Sequence, residues 1–231
     1  IFKLTTAVGD TSNLGTSQLN LTISDIDINN GLIIYYPFNG NAVDTIRSET
    51  ANFTGSPLLI ADRKGNANSA YDLNGGDNRI KAVSNVGITG NVPRTLSTWF
   101  KFPATNPASI QHPVNWGANP VVSTRSFGFF SLSGNINFYG ETAGDIFNVT
   151  PITTNWEHWV AVYDSTNVYV YKNGVLQTQA AKALNTGDSP LEFGRRMDGG
   201  WIPCVCAVDD TRVYSRAMDA DEVRSLYEIE K

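Results

Sequence analysis

Residues 167–179 read NVYVYKNGVLQTQ. Val168 and Val170 alternate with Tyr169 and Tyr171, and a second run of strand-forming residues follows the pair Asn173-Gly174. Asn-Gly tolerates positive φ at both central positions of a two-residue turn, the geometry that matches the twist of paired strands. The stretch therefore predicts a β-hairpin. Working outward, the same signature recurs as short β-branched and aromatic runs closed off by Asn, Gly, Asp or Pro. It covers Leu32 to Tyr36, Ala70 to Asn74, Arg79 to Val83, Thr95 to Phe102, Val121 to Leu132, Asn135 to Tyr139, His158 to Tyr163 and Val205 to Tyr214. A helical period emerges only at the C-terminus, over Ala220 to Glu228. There Val223, Leu226 and Tyr227 share a face and Asp219 is placed to cap the first amides. Many short strands and one short helix predict an all-β chain folded as a two-sheet antiparallel sandwich.

Composition agrees. The 231 residues are 41% hydrophobic and 17% charged, too apolar for a disordered chain. The longest apolar runs, such as Gly31 to Phe38, fall far short of the ~20 residues that span a bilayer, so membrane insertion is not expected. A net charge of -5 without a basic stripe disfavours nucleic acid, whose phosphates need clustered cations. The chain starts at Ile1 rather than Met, which fits a mature chain that has lost a leader. Cys204 and Cys206 make neither a disulfide framework nor a zinc site and read as two small strand residues. The sequons at Asn20, Asn52 and Asn148 are about as many as chance supplies in a chain rich in Asn, Ser and Thr.

Residues 1–30 differ from the rest and read as a strand-forming extension ahead of a domain at 31–231. Phe2, Leu4 and Val8, then Leu19, Leu21 and Ile23, recur with period two on either side of a polar run. Strands surplus to a sandwich need a partner. They can pair with their own sheet edge, act as a linker, or add to the edge of a neighbouring copy.

Six blocks carry a family resemblance: GLIIYYPFNGNAVD (31–44), ADRKGNANSAYDLNGGDNRI (61–80), LSTWFKF (96–102), NWEHWVAVYD (155–164), VYVYKNGVL (168–176) and VDDTRVYSRAMDADEVRSLY (208–227). In this order they resemble the laminin G-like, pentraxin-like jelly rolls of the concanavalin A-like superfamily. The resemblance implies two stacked antiparallel sheets closed near Gly31 and near Tyr227, already complete from Gly31 onward. It spans glycan binders, adhesion modules, calcium-dependent binders and accessory domains of enzymes, so function must be argued from sites.

Glycosidases of this superfamily present alternate carboxylates from one strand, about 5 Å apart, to one bond. That pattern is missing here: Glu228 and Glu230 end the helix, and Asp209 and Asp210 are consecutive, hence on opposite faces of a strand. With only His112 and His158 and no GxSxG elbow, a nucleophilic triad is not expected either. Calcium is the cofactor to weigh, because the loops are rich in oxygen ligands. One candidate ion site is structural, with Asn39, Asn41 and Asp44 in the first loop and Asp209 on the closing strand. The other follows from the pentraxin resemblance: Asp77 and Asn78, with Asp198 in FGRRMDGG (193–200). There Arg196 replaces a family Glu and Met197 a family Gln, which removes ligands and adds a like charge. For glycans, Trp116 and Trp201 stand in loops where exposed rings can pack on sugars, whereas Trp99, Trp156 and Trp159 read as core.

The expectation is an extracellular or cell-surface, non-catalytic structural or adhesive subunit. Its partners are copies of itself, gathered into filaments by donation of the N-terminal strand. The alternative is a lectin-like carbohydrate-binding module with glycans as partners.

Overall fold

The computed structural model describes residues 2–6, 21–107, 109–118, 122–197 and 203–231, with 2–6 and 21–25 as backbone strands. Two antiparallel sheets dominate. The first runs in the order Val175–Ala181, Asn167–Lys172, Glu157–Tyr163, Arg94–Lys101, Ala207–Tyr214, Ala70–Asp72, Leu58–Ile60, and Leu32–Tyr36 also pairs with Ala207–Tyr214. The second runs Ile146–Pro151, Asn135–Tyr139, Ser126–Leu132, Val114–Gly117, Pro190–Phe193, Arg79–Asn85, Asn52–Thr54. The all-β two-sheet jelly roll read from the sequence is thus the observed fold, closed where its first strand lies against its last.

Between the sheets the alternating inward positions meet. Phe100 stacks on Trp159 with ring centroids 5.7 Å apart and planes 4° from parallel, and Phe129 tilts against both. Trp116, Phe127 and Phe138 form a second aromatic run, all fully buried. The hairpin turn has Asn173 at φ 50° and Gly174 at φ 75°. A side chain at Gly174 would meet the Arg224 main chain and the Tyr227 ring at 3.3 Å, so glycine also lets the turn tuck under the helix. The helix is Ala220–Glu230, two residues longer than read, and Asp219 and Glu222 close a reciprocal capping box. Its buried Val223 and Leu226 rest on Val160, Val162 and Tyr171, the outward side of the first sheet.

Several readings are corrected. Val121 to Leu132 is not one strand: the strand is Ser126–Leu132, because Thr124 sits at φ 64°. Trp116, expected in a loop, lies in Val114–Gly117 and has no exposed surface. Cys204 and Cys206 precede the strand Ala207–Tyr214 and are joined in a disulfide. The N-terminal runs do form strands, Phe2–Thr6 and Leu21–Asp25, but their ladder partners are each other, Leu4 opposite Ile23 and Thr6 opposite Leu21. Val8 and Leu19 lie outside the described residues.

Candidate functional site

The carboxylates singled out in the sequence serve the fold. Asp209 and Asp210 were expected on opposite faces, yet Asp210 has φ 37° and the ladder to Arg94–Lys101 slips there, so a bulge turns both toward Arg63. Arg63 donates to Asp209 Oδ2 at 2.6 Å and to Asp210 Oδ2 at 2.8 Å, and its guanidinium lies 4.4 Å from the centre of the Trp99 ring. Burial, with Asp210 beside it, pushes the Asp209 carboxyl up to about 8, against the pull of Arg63. Asp44 is spent elsewhere: its Oδ1 accepts the amides of Tyr35 at 3.1 Å, Ile46 at 3.0 Å and Arg47 at 3.3 Å. Asn41 accepts the Val43 amide, an Asx turn, and Asn39 is exposed. Three of the four expected calcium ligands, Asn41, Asp44 and Asp209, thus serve amides and an arginine, and Asn39 is exposed. Among the described residues no three His, Cys, Asp or Glu side chains are arranged to hold a metal ion.

Glu230, set aside as a catalytic carboxylate because it ends the helix, is buried. It accepts Trp99 Nε1 at 2.7 Å on Oε2 and pairs with Arg212 through Oε1, while its main-chain oxygen accepts Arg63 Nε at 2.7 Å. His158 Nε2 lies 2.7 Å from Ser97 Oγ and 3.6 Å from Glu230 Oε2. This is not a triad, because acid and hydroxyl meet the same ring nitrogen and Ser97 and His158 have no exposed surface. Burial, with Arg212 and Arg63 nearby, pulls His158 down to about 3, so the ring is neutral.

Asp77 and Asn78 sit on one rim of the sandwich, where residues 73–78 and 109–113 meet residues 194–197 and 203–206. Asp77 pairs with Arg195, which follows the strand Pro190–Phe193, and Asn78 Oδ1 accepts the Ser56 amide at 2.7 Å. Asp198 and Trp201 lie outside the described residues. The disulfide segment ties the rim together: Cys204 donates to the Gly194 carbonyl, its own carbonyl accepts Gly75 N–H, and Val205 donates to Gln111 Oε1.

Beside the disulfide the rim opens into a groove of about 320 Å³. Ile60, Phe102, Pro103 and Cys206 supply apolar lining, and Asp72, Asn74, Lys101 and Thr154 supply polar groups. Lys101 Nζ lies 5.0 Å from the ring centre of Trp156, which is part-exposed rather than core as read, because it stands one residue before the strand Glu157–Tyr163 begins. The sequence reading missed this groove. Five separated segments build it, and only the sheet order brings them together.

Residues 74–224, more than half of the chain, match the family described as the concanavalin A-like lectin/glucanases superfamily. No curated protein matches the chain. Similar solved structures include domain 4 of AbnA, a GH43 extracellular arabinanase from Geobacillus stearothermophilus, in complex with arabinotriose (TM-score 0.68, 19% identity, covering 85% of this chain and 98% of that one). Another is the binding domain of Paraclostridial Mosquitocidal Protein 1 (TM-score 0.68, 16% identity, 87% of this chain and 52% of that one). A third is the botulinum neurotoxin serotype D ligand binding domain in complex with N-acetylneuraminic acid (TM-score 0.64, 15% identity, 87% of this chain and 52% of that one). The chain thus spans about half the length of the two toxin domains. At these identities the likeness is one of fold.

Proposed function

We propose, from the premise that the chain belongs to the concanavalin A-like lectin/glucanase superfamily, that it is an extracellular, non-catalytic carbohydrate-binding module. This is the alternative in the sequence reading, and the binding-domain character of the similar structures favours it over a filament subunit. The observation that carries it is the rim groove: an apolar floor, a few convergent polar groups and a flanking Trp ring make the surface that sugars fit, with C–H faces on apolar atoms and hydroxyls on Asp72, Asn74 and Lys101. Titration calorimetry with arabinotriose and a panel of other oligosaccharides tests it. Lys101→Ala and Trp156→Ala should each weaken the best ligand by about tenfold. Native-like affinity in both variants, or no binding across the panel, rejects the rim as the site.

Self-association keeps a place as a second reading because of the N-terminal hairpin. Its register sets Leu4 opposite Ile23 and Thr6 opposite Leu21, so the apolar positions of both strands fall on one face. An isolated two-stranded sheet is marginal in water, and a second copy can supply the cover.

A further inference from the structure

Away from the rim, the outer side of the first sheet carries another groove of about 320 Å³. Its floor follows from strand alternation. Val168 and Val170 point into the core, so Tyr169 and Tyr171 stand outward, opposite Val162 and Val160 on the neighbouring strand. The helix covers part of this face, and the groove remains between Tyr169, Val162 and the turn from Ala217 to Ala220. Tyr171 is only 6% exposed and belongs to the floor, whereas Tyr169 is part-exposed and fixed. The Tyr169 hydroxyl donates to Asp164 Oδ2 at 2.9 Å, and Asp164 Oδ1 in turn accepts the amides of Thr166 at 2.8 Å and Asn167 at 2.7 Å. Asp219 borders the opposite side, and among the described residues lining the groove there is no Lys, Arg or His.

We propose that this groove is a second saccharide-binding site, selective for neutral sugars, with Tyr169 as the stacking ring and Asp164 and Asp219 as hydroxyl acceptors. A ring held in place by its own hydroxyl loses little freedom when a ligand packs on it, which lowers the ordering cost of binding. Carboxylates accept strong hydrogen bonds from hydroxyl donors, and two of them bordering one groove disfavour a uronic or sialic acid. The apolar remainder, Val162, Ala217 and Met218, suits the C–H face of a pyranose or furanose.

The proposal rests on the saccharide-binding reading for its ligand class, and the experiment keeps the two sites apart. Amide spectra of the full chain are recorded against arabinotriose, cellotetraose, laminaritetraose and trigalacturonic acid. The neutral sugars should shift residues 162–171 and 217–220, a set separate from 72–74, 101–103 and 205–207 at the rim, and the acid should leave the first set unmoved. Tyr169→Ala should weaken those shifts by about tenfold without altering the rim shifts, and Tyr169→Phe, which keeps the ring, should stay within about threefold of native. Shifts confined to 162–171 and 217–220 overturn the rim alone. Shifts confined to the rim, no shifts at all, or native affinity in a Tyr169→Ala chain that melts normally overturn the second site.

Discussion

Replacing Glu230 by Ala should cost the protein more than any other change in its last turn of helix. The side chain is buried, and its carboxylate answers two groups at once, Trp99 Nε1 at 2.7 Å and the Arg212 guanidinium. Removing one partner of a buried ion pair costs about 3–5 kcal/mol, because the remaining charge keeps its desolvation penalty. Arg212 retains partial cover, with the Tyr35 ring 3.8 Å away and Asp210 at 3.9 Å, which places the loss near the lower end, about 3 kcal/mol. At about 2–4 °C per kcal/mol for a domain of this size, the melting temperature should fall by about 6–12 °C. Glu228→Ala is the matched control two residues earlier: its pair with Lys231 is solvent-exposed and contributes little. Urea unfolding followed by Trp fluorescence gives both values. A Glu230→Ala loss under about 1 kcal/mol, or one equal to that of Glu228→Ala, refutes the reasoning.

Burial raises the Asp145 carboxyl from 3.8 to about 6, so the folded chain holds a proton that the unfolded chain has released. The stability this contributes is full below the unfolded value and is lost as pH rises through 6. Asp145→Asn keeps an acceptor for the Gly140 and Glu141 amides, so it should shrink the difference between urea midpoints at pH 4 and pH 7; an unchanged difference counts against the assignment. With Asp44 committed to amides and Asp209 to Arg63, chelator and added calcium should leave the melting temperature within about 1 °C of native, since only an ion bound to the folded state shifts it. A chelator-induced fall that Asp44→Ala abolishes would reinstate the ion site. Light scattering should find the full chain self-associated at high concentration and residues 26–231 monomeric, and a monomeric full chain dismisses the hairpin as a contact.

Local chemistry was legible where it decides local structure. Asn173-Gly174 marked its turn, and Asp219 marked the helix start, because both signals act within one turn of chain. Trp116 was misplaced because the strand holding it has four residues, too few for alternation to show, with Pro113 before it and Gly117 as its last residue. Asp209 and Asp210 were read on an ideal strand, and the bulge that turns them together depends on a partner strand far away in sequence. The rim groove and the buried role of Glu230 were invisible for the same reason: Ile60, Asp72, Lys101, Thr154 and Cys206 share a surface, and Trp99 and Glu230 a hydrogen bond, only once the sheet order is known.

The C-terminal helix also decides how the molecule carries load. It starts near Thr95, whose hydroxyl bridges the Arg216 carbonyl and the Met218 amide, and ends at Trp99, so it runs along the strand Arg94–Lys101 and back along Ala207–Tyr214. Traction applied at Lys231 therefore arrives at Arg63, Trp99 and Arg212 before it reaches the ladder between Ala207–Tyr214 and Leu32–Tyr36. A tether attached there pulls first against a cluster of ionic and aromatic contacts rather than against the backbone pairs of the closing strands.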